Sequence, residues 1–427
     1  MNILILTYGT RGDVQPFIAL GRGLVAKGHD VWLATSTRFE GFVRENGLKF
    51  FSISDELLAI LDTPEGKEMM ESTRNIFDMV RHNITLAKRM PAMLRKQLDD
   101  SWFAAKIAKP DFVVYHPKGI AGPVIAEAYD CPAILALPFP MLVATEDRPQ
   151  IGFPALPFGK GYNQLTYSIV NTLTSSSLSG PMKAFRKDHD LPEAKTYKST
   201  SYPDGRRMPS MTCVSPSVVP EPEDWDGTDR MIGYWFLKNA SDYRAPANLA
   251  YFLANGAPPI YIGFGSISGK EPEKLANIAI EALKATGQRG ILATGWGGLK
   301  PGDLPDSILQ IDSAPHDWLF PKCAAVVHHG GAGTTAAGLR AGIPSIITPF
   351  LGDQPFWGKQ IEALGVGPAP IDHKALTAKK LAEAIRTAIT DPVMRRKADA
   401  LGARLRNEHG VKNAIRFIEE IAAQHTS

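Results

Sequence analysis

The chain has 427 residues, 44% hydrophobic and 21% charged, a globular balance and enough length for two domains of roughly 200 residues. Its 47 basic and 44 acidic residues leave a net charge of +3, which excludes the strong positive field of a nucleic-acid binder. Cys131, Cys213 and Cys323 are scattered and form no Cys-x-x-Cys, which argues against a zinc site or a disulfide framework and fits a reducing compartment. No apolar run approaches the ~18 residues of a membrane span. The run Ile3 to Leu6 is too short for a signal sequence, so a cytoplasmic protein is expected.

In chain order, residues 2–7 read as a buried strand and 16–27 as a helix closed by Gly28. A strand at 29–35, a helix at 39–45 closed by Gly47 and a strand at 49–53 follow. This βαβαβ rhythm predicts a right-handed, parallel, doubly wound sheet, continued by strands at 111–115 and 133–137. The rhythm stops in a Pro/Gly/Phe-rich loop at 149–160, a helical stretch at 161–190 and a loop at 203–222 with a short strand near 211–215. A second series starts at 259–266. Strands are expected at 290–294, 308–311, 324–327 and 345–348, with helices at 271–285, 332–341, 357–364, 377–389, 393–407 and 411–424. The fold class is therefore α/β, with two Rossmann-like halves facing across a cleft. The expected boundaries are 1–223, a linker at 224–247, 248–407, and a last helix at 408–427 returning to the first domain.

The most informative stretch is His328-His329-Gly330-Gly331-Ala332-Gly333-Thr334-Thr335, followed by Pro349-Phe350-Leu351-Gly352-Asp353-Gln354. A Gly-rich turn from strand into helix aims backbone N–H groups at one point, at the positive end of the helix dipole, and so suits phosphate. His329 adds a ring donor, Thr334 and Thr335 add hydroxyls, and Asp353 with Gln354 offers partners for sugar hydroxyls. Asp-x-Asp occurs at Asp224-Trp225-Asp226 and Asp188-His189-Asp190, but neither follows a predicted strand, and no metal is expected.

The chain resembles the GT-B-fold, nucleotide-sugar-dependent glycosyltransferases, within them most the sterol glucosyltransferases and their bacterial relatives. The likeness is carried by Gly9-Thr10-Arg11-Gly12-Asp13-Val14-Gln15-Pro16 with Gly28-His29, Gly233-Tyr234-Trp235-Phe236, Gly263-Phe264-Gly265-Ser266, Pro315-His316-Asp317-Trp318-Leu319 and the two stretches above. It implies an inverting, metal-independent transfer from a UDP-sugar co-substrate, with no resident cofactor. A base takes the acceptor hydroxyl proton as that oxygen attacks the anomeric carbon and the nucleotide diphosphate leaves. Asp13 is the candidate base; the alternative is that it only caps the following helix. His116 is a candidate partner in a reversed dyad, against the reading of an ordinary loop histidine. Donor contacts are expected from Gly12, Ser266, Ala314, His316, His329, Gly331, Gly333, Thr334, Thr335, Asp353 and Gln354. Ser266 is alternatively a loop cap.

The resemblance departs at Ala337, where plant-type relatives carry a Glu for the ribose hydroxyls. That contact is sought near Trp296 or the backbone at Ala314 to His316, and the choice between uridine and thymidine stays open. Trp296 and Trp318 either stack on the base or pack the core. For the acceptor, the basic and apolar segment at 84–98 either meets an anionic membrane, lines a greasy entrance, or packs on its own core. The expected reaction is glucosylation of a sterol or sterol-like alcohol. The alternatives are a natural-product tailoring enzyme acting on a polyketide, flavonoid or glycopeptide, and an inactive nucleotide-sugar-binding module.

Overall fold

A computed structural model describes residues 1–62, 76–237, 243–264, 272–293 and 304–426. Two compact units emerge. The first comprises Met1–Pro216, Pro220–Leu237 and His409–Ser427, and the second Ser217–Val219 and Lys238–Glu408.

The first unit is built on a seven-stranded, all-parallel sheet: β1 (Asn2–Leu6), β2 (Asp30–Ser36), β3 (Lys49–Ile53), β4 (Phe112–Tyr115), β5 (Ala133–Leu137), β6 (Ser210–Thr212) and β7 (Asp229–Met231), in the order β3-β2-β1-β4-β5-β6-β7. The central strands β1, β4 and β5 are nearly continuous apolar runs, as a sheet covered on both faces requires. One face packs Ile3, Ile5, Phe17 and Trp235; the other packs Leu4, Leu6, Tyr115 and Phe185. The last helix, Gly410–Thr426, supplies Ala414, Ile415 and Ile418 to the first of these cores.

Residues 224–247 were expected to form a linker, but 229–231 pair with β6 as the seventh strand. The signal was masked because Asp229 is polar yet buried, held by Ser210 and Arg207. The first helix also starts earlier than Pro16 and spans Arg11–Ala26. Thr10 and Asp13 form the Ser/Thr-x-x-acid pattern of a capping box, and that end signal outweighs the proline, which lies inside the helix.

The second unit holds β8 (Ile260–Gly263), β9 (Gly290–Ala293), β10 (Ile308–Ile311), β11 (Ala325–His328) and β12 (Ser345–Ile347), all parallel, in the order β10-β9-β8-β11-β12. Each sheet reverses its winding once, between β1 and β4 and between β8 and β11. Ligands of doubly wound sheets lie beyond the strand ends at such points.

Candidate functional site

The two switch points carry the residues singled out in the sequence. In the first unit, Leu6 is in register with Tyr115, and the His116 N–H donates to the Leu6 carbonyl at 2.8 Å. The segments leaving β1 and β4 are thus side by side. Asp13, in the first helical turn, is brought to His116: Asp13 Oδ1 lies 3.3 Å from His116 Nε2, close but not in line for a hydrogen bond. Asp13 Oδ2 accepts from the Thr10 N–H at 2.7 Å, the Thr10 hydroxyl at 3.1 Å and the Lys118 ammonium at 3.1 Å. The carboxylate therefore caps the helix and also faces a histidine and a lysine. It folds over Gly9, where φ is +138° and a Cβ would collide with it, so only glycine fits.

Burial opposes ionisation of Asp13, but the His116 ring, the Lys118 ammonium and the Thr10 amide outweigh it and hold the carboxyl well below its usual range. His116 is buried, and burial pushes its pKa down despite the neighbouring carboxylate. Its Nδ1 accepts the Lys118 backbone N–H at 3.0 Å. The neutral ring therefore carries its proton on Nε2, the edge facing Asp13. The sequence pointed to Asp13 and His116 but missed Lys118; the signal was its place three residues beyond the end of β4. Gly12 is exposed in the same helical turn, with room for a side chain.

In the second unit, β11 ends at fully buried His328, in register with Gly263. The Gly330 N–H donates to His328 Nδ1 at 3.0 Å, which bends the chain sharply. Gly330 has φ +92°, and a Cβ there would lie 2.7 Å from Ile347 Cγ2. Gly331 then caps the helix Ala332–Ala341, so Gly331, Gly333 and Thr334 stand at its amino end. His329 lies over Gly331, where a Cβ would come within 2.6 Å of Nε2. Burial lowers the His329 pKa to about 4, so the ring is a neutral donor rather than a cation. Thr335 departs from the expectation: its hydroxyl is buried and donates to the Gly331 carbonyl at 3.0 Å, closing the turn instead of facing outward.

Gln354 departs in the same way. It is buried, and its Oε1 accepts from Phe350 N at 2.7 Å and Leu351 N at 3.1 Å. Its carbonyl oxygen shapes the loop, which leaves the amide NH₂ for other partners. Asp353 begins the helix Gln354–Leu364 and accepts from Trp357 Nε1 at 2.7 Å. His316 opens the short helix His316–Leu319 and stacks on Phe320, and Ala314 packs against the apolar cluster that contains Phe320. Trp318 sits among Tyr243 and Lys322 in the apolar cluster of this unit, which favours the packing reading. Ala337 belongs to the same cluster. Ser266 and Trp296 lie outside the described residues.

Three of the four acids of the Asp-x-Asp pairs are engaged by side chains or backbone of the chain itself. Asp224 accepts from the Thr145 hydroxyl and Glu146 N, Asp226 pairs with Arg207, and Asp188 pairs with Arg95. The segment at 84–98 falls within the helix Ile76–Ala108, where Met93, Leu94 and Leu98 are buried. Its described part packs on its own core, and the side chains of 84–88 lie outside the described residues. Among the described residues no helix is long and apolar enough to cross a membrane.

Residues 3–145 match the N-terminal domain of glycosyltransferase family 28, and 298–414 match the C-terminal domain of the erythromycin biosynthesis protein CIII-like family. The chain is 37% identical over 425 residues to sterol 3-beta-glucosyltransferase UGT80A2 of Arabidopsis thaliana, covering 97% of this chain and 65% of that one. It is 35% identical to sterol 3-beta-glucosyltransferase UGT80B1 of the same plant, covering 97% and 67%. With a sterol 3-beta-glucosyltransferase of Emericella nidulans it shares 36% identity, covering 98% of this chain but 30% of the fungal one. The chain thus spans about two thirds of the plant relatives and under a third of the fungal one. Among solved structures, the glycotransferase of kitacinnamycin superposes with a TM-score of 0.72 at 19% identity, covering 98% of each chain. The calicheamicin glycosyltransferase CalG4 does so at 0.68 and 20%, covering 99% of this chain and 98% of that one. At these identities the superpositions speak for the GT-B fold.

Proposed function

The chain belongs to the sterol glucosyltransferase family of GT-B-fold glycosyltransferases, and we propose that it transfers glucose from UDP-glucose to the hydroxyl of a sterol or sterol-like alcohol, with inversion. The acceptor hydroxyl donates to Asp13; as its oxygen attacks the anomeric carbon, the bond to the diphosphate breaks and the proton passes to the carboxylate. His116, neutral and protonated on Nε2, orients that carboxylate and cannot relieve it of the proton without becoming a buried cation. The diphosphate leaves onto the amides at Gly331, Gly333 and Thr334 and the neutral His329 ring, with no metal in the scheme. Asp353 and the Gln354 amide face glucose hydroxyls in this reading, and Gly12, Ala314 and His316 complete the donor contacts.

The observation that carries the proposal is the acid at Asp13, beside His116, at the switch point of its sheet. A depressed carboxyl is a weak base at rest, which suits a step in which the hydroxyl becomes acidic only as it attacks.

A peripheral contact with an anionic bilayer is part of the proposal. Phe158 is 70% exposed, and Leu165, Ile169 and Leu173, spaced four apart on the helix Gly159–Asp188, are 55%, 39% and 66% exposed. No Asp or Glu occurs between 159 and 187, while Lys160, Lys183 and Lys187 are exposed. Lys160 pairs with Glu146; an apolar stripe on a helix whose own charges are basic up to Asp188 suits an anionic lipid surface.

A second reading, a tailoring enzyme for a polyketide, flavonoid or glycopeptide, draws support from the match over 298–414 and from Ala337. UDP release from UDP-glucose with a panel of sterols, flavonoids and polyketide aglycones decides between them. Turnover confined to sterols supports the first reading, turnover confined to the others supports the second, and UDP binding without any turnover overturns both in favour of an inactive binding module.

A further inference from the structure

Asp13 Oδ2 is crowded. It takes three donors, from Thr10 N, the Thr10 hydroxyl and Lys118 Nζ, while a carboxylate oxygen offers about two lone-pair directions. Oδ1 is turned to His116. An acceptor hydroxyl that donates to Oδ2 must therefore displace one of its three donors. The Thr10 amide is fixed by the helix end, and the Thr10 hydroxyl is held on the same residue. Lys118 is different: its side chain is 52% exposed, whereas that of Asp13 is 13% exposed, and an ammonium on a flexible stem can swing into water at little cost. The other charged neighbour in sequence, Arg11, is engaged elsewhere, with its Nε on Gln15 and its guanidinium over Phe42.

We propose that Lys118 is a positioning residue that occupies Oδ2 of Asp13 at rest and yields that place to the incoming acceptor hydroxyl. The inference rests on the reading of Asp13 as the base. Lys118 acts on the carboxylate twice, since its backbone N–H also sets the His116 tautomer through Nδ1. Removal of its side chain leaves that second action in place. With the ammonium on Oδ2 the base is weak; as the hydroxyl replaces it, the opposite charge withdraws and the carboxylate becomes more basic at the moment it is needed. Lys118 keeps its own protons throughout. The hydroxyl proton goes to Asp13 and the electron pair of the breaking glycosidic bond goes to the diphosphate.

The test compares wild type, Lys118→Met, Lys118→Arg and Asp13→Asn in acceptor-saturation kinetics and in the pH profile of kcat/KM, each variant first checked for an unchanged thermal melt. Lys118→Met is expected to move the acid limb upward by about one pH unit or more and to lower the acceptor KM, because the competitor for Oδ2 is gone, with donor KM unchanged. Lys118→Arg is expected to restore the acid limb. An unmoved acid limb in Lys118→Met, or a raised acceptor KM, overturns the inference. If Lys118→Met melts early, the Asp13 carboxyl titration is followed by carbon NMR in Lys118→Gln, and an unshifted titration overturns it. Near-normal turnover by Asp13→Asn would instead remove the base reading on which the inference stands, so the two failures are told apart.

Discussion

His116 turns its protonated Nε2 edge to Asp13 Oδ1 at 3.3 Å, while its Nδ1 is capped by the Lys118 N–H. The acid is the outer member of this pair and the buried ring the inner one. A buried neutral histidine whose second nitrogen is occupied keeps its N–H edge turned to the acid, from where a small shift makes it a donor. Nitrogen NMR of the imidazole near neutral pH is expected to show the Nε2–H form, with Nδ1 unprotonated. His116→Gln, which keeps a donor, should retain more activity than His116→Phe. Equal losses in both would contradict the donor role.

The donor loop makes its own prediction. His329 is a neutral ring over Gly331, so His329→Ala should weaken UDP and UDP-glucose alike, by about tenfold, the size of one lost hydrogen bond to a charged partner. Isothermal titration checks it. Intact UDP affinity with altered sugar preference would place the ring against the sugar instead.

Both histidines at this turn are held neutral by burial, His328 far below its ordinary value and His329 at about 4. A histidine pKa that is lower in the folded state means that the unfolded chain binds more protons between that value and about 6.5. Stability contributed this way is present above about pH 6.5 and is lost as the pH falls toward 4. Thermal melts from pH 7 to 4.5 should show this decline, with a shallower slope in His329→Gln. An equal slope in that variant would contradict the assignment.

The exposed stripe gives a further variant test. Leu165→Asp with Leu173→Asp places two acids on the surface proposed to meet anionic lipid and should abolish sedimentation with phosphatidylserine-containing vesicles. Activity on a detergent-dispersed acceptor should be kept. Undiminished sedimentation would remove this surface from the proposal.

Much of this architecture was legible in the chain. The alternation of short apolar runs with amphipathic stretches placed β3 and β5 to the residue: β5 is apolar throughout, as a buried parallel strand is, and the edge strand β3 mixes its apolar residues with exposed Lys49 and Ser52. The polar strand Asp229–Met231 was not legible, since its Asp is buried by partners distant in sequence. The Gly-rich loop announced itself through residues that only a tight turn needs. The inward turns of Thr335 and Gln354 did not, because a hydroxyl or amide in sequence carries no direction. Lys118 was overlooked for the same reason: its meaning comes from the register that sets β4 beside β1.

The most direct test of the account is transfer from UDP-glucose to a sterol, measured side by side in wild type and Asp13→Asn, with UDP affinity determined for both. The account predicts a β-glucoside from wild type, a loss of about 10²–10⁴-fold in turnover for Asp13→Asn, and the same UDP affinity in each. Near-normal turnover by Asp13→Asn, or UDP binding by the wild type with no glucoside formed, would contradict it.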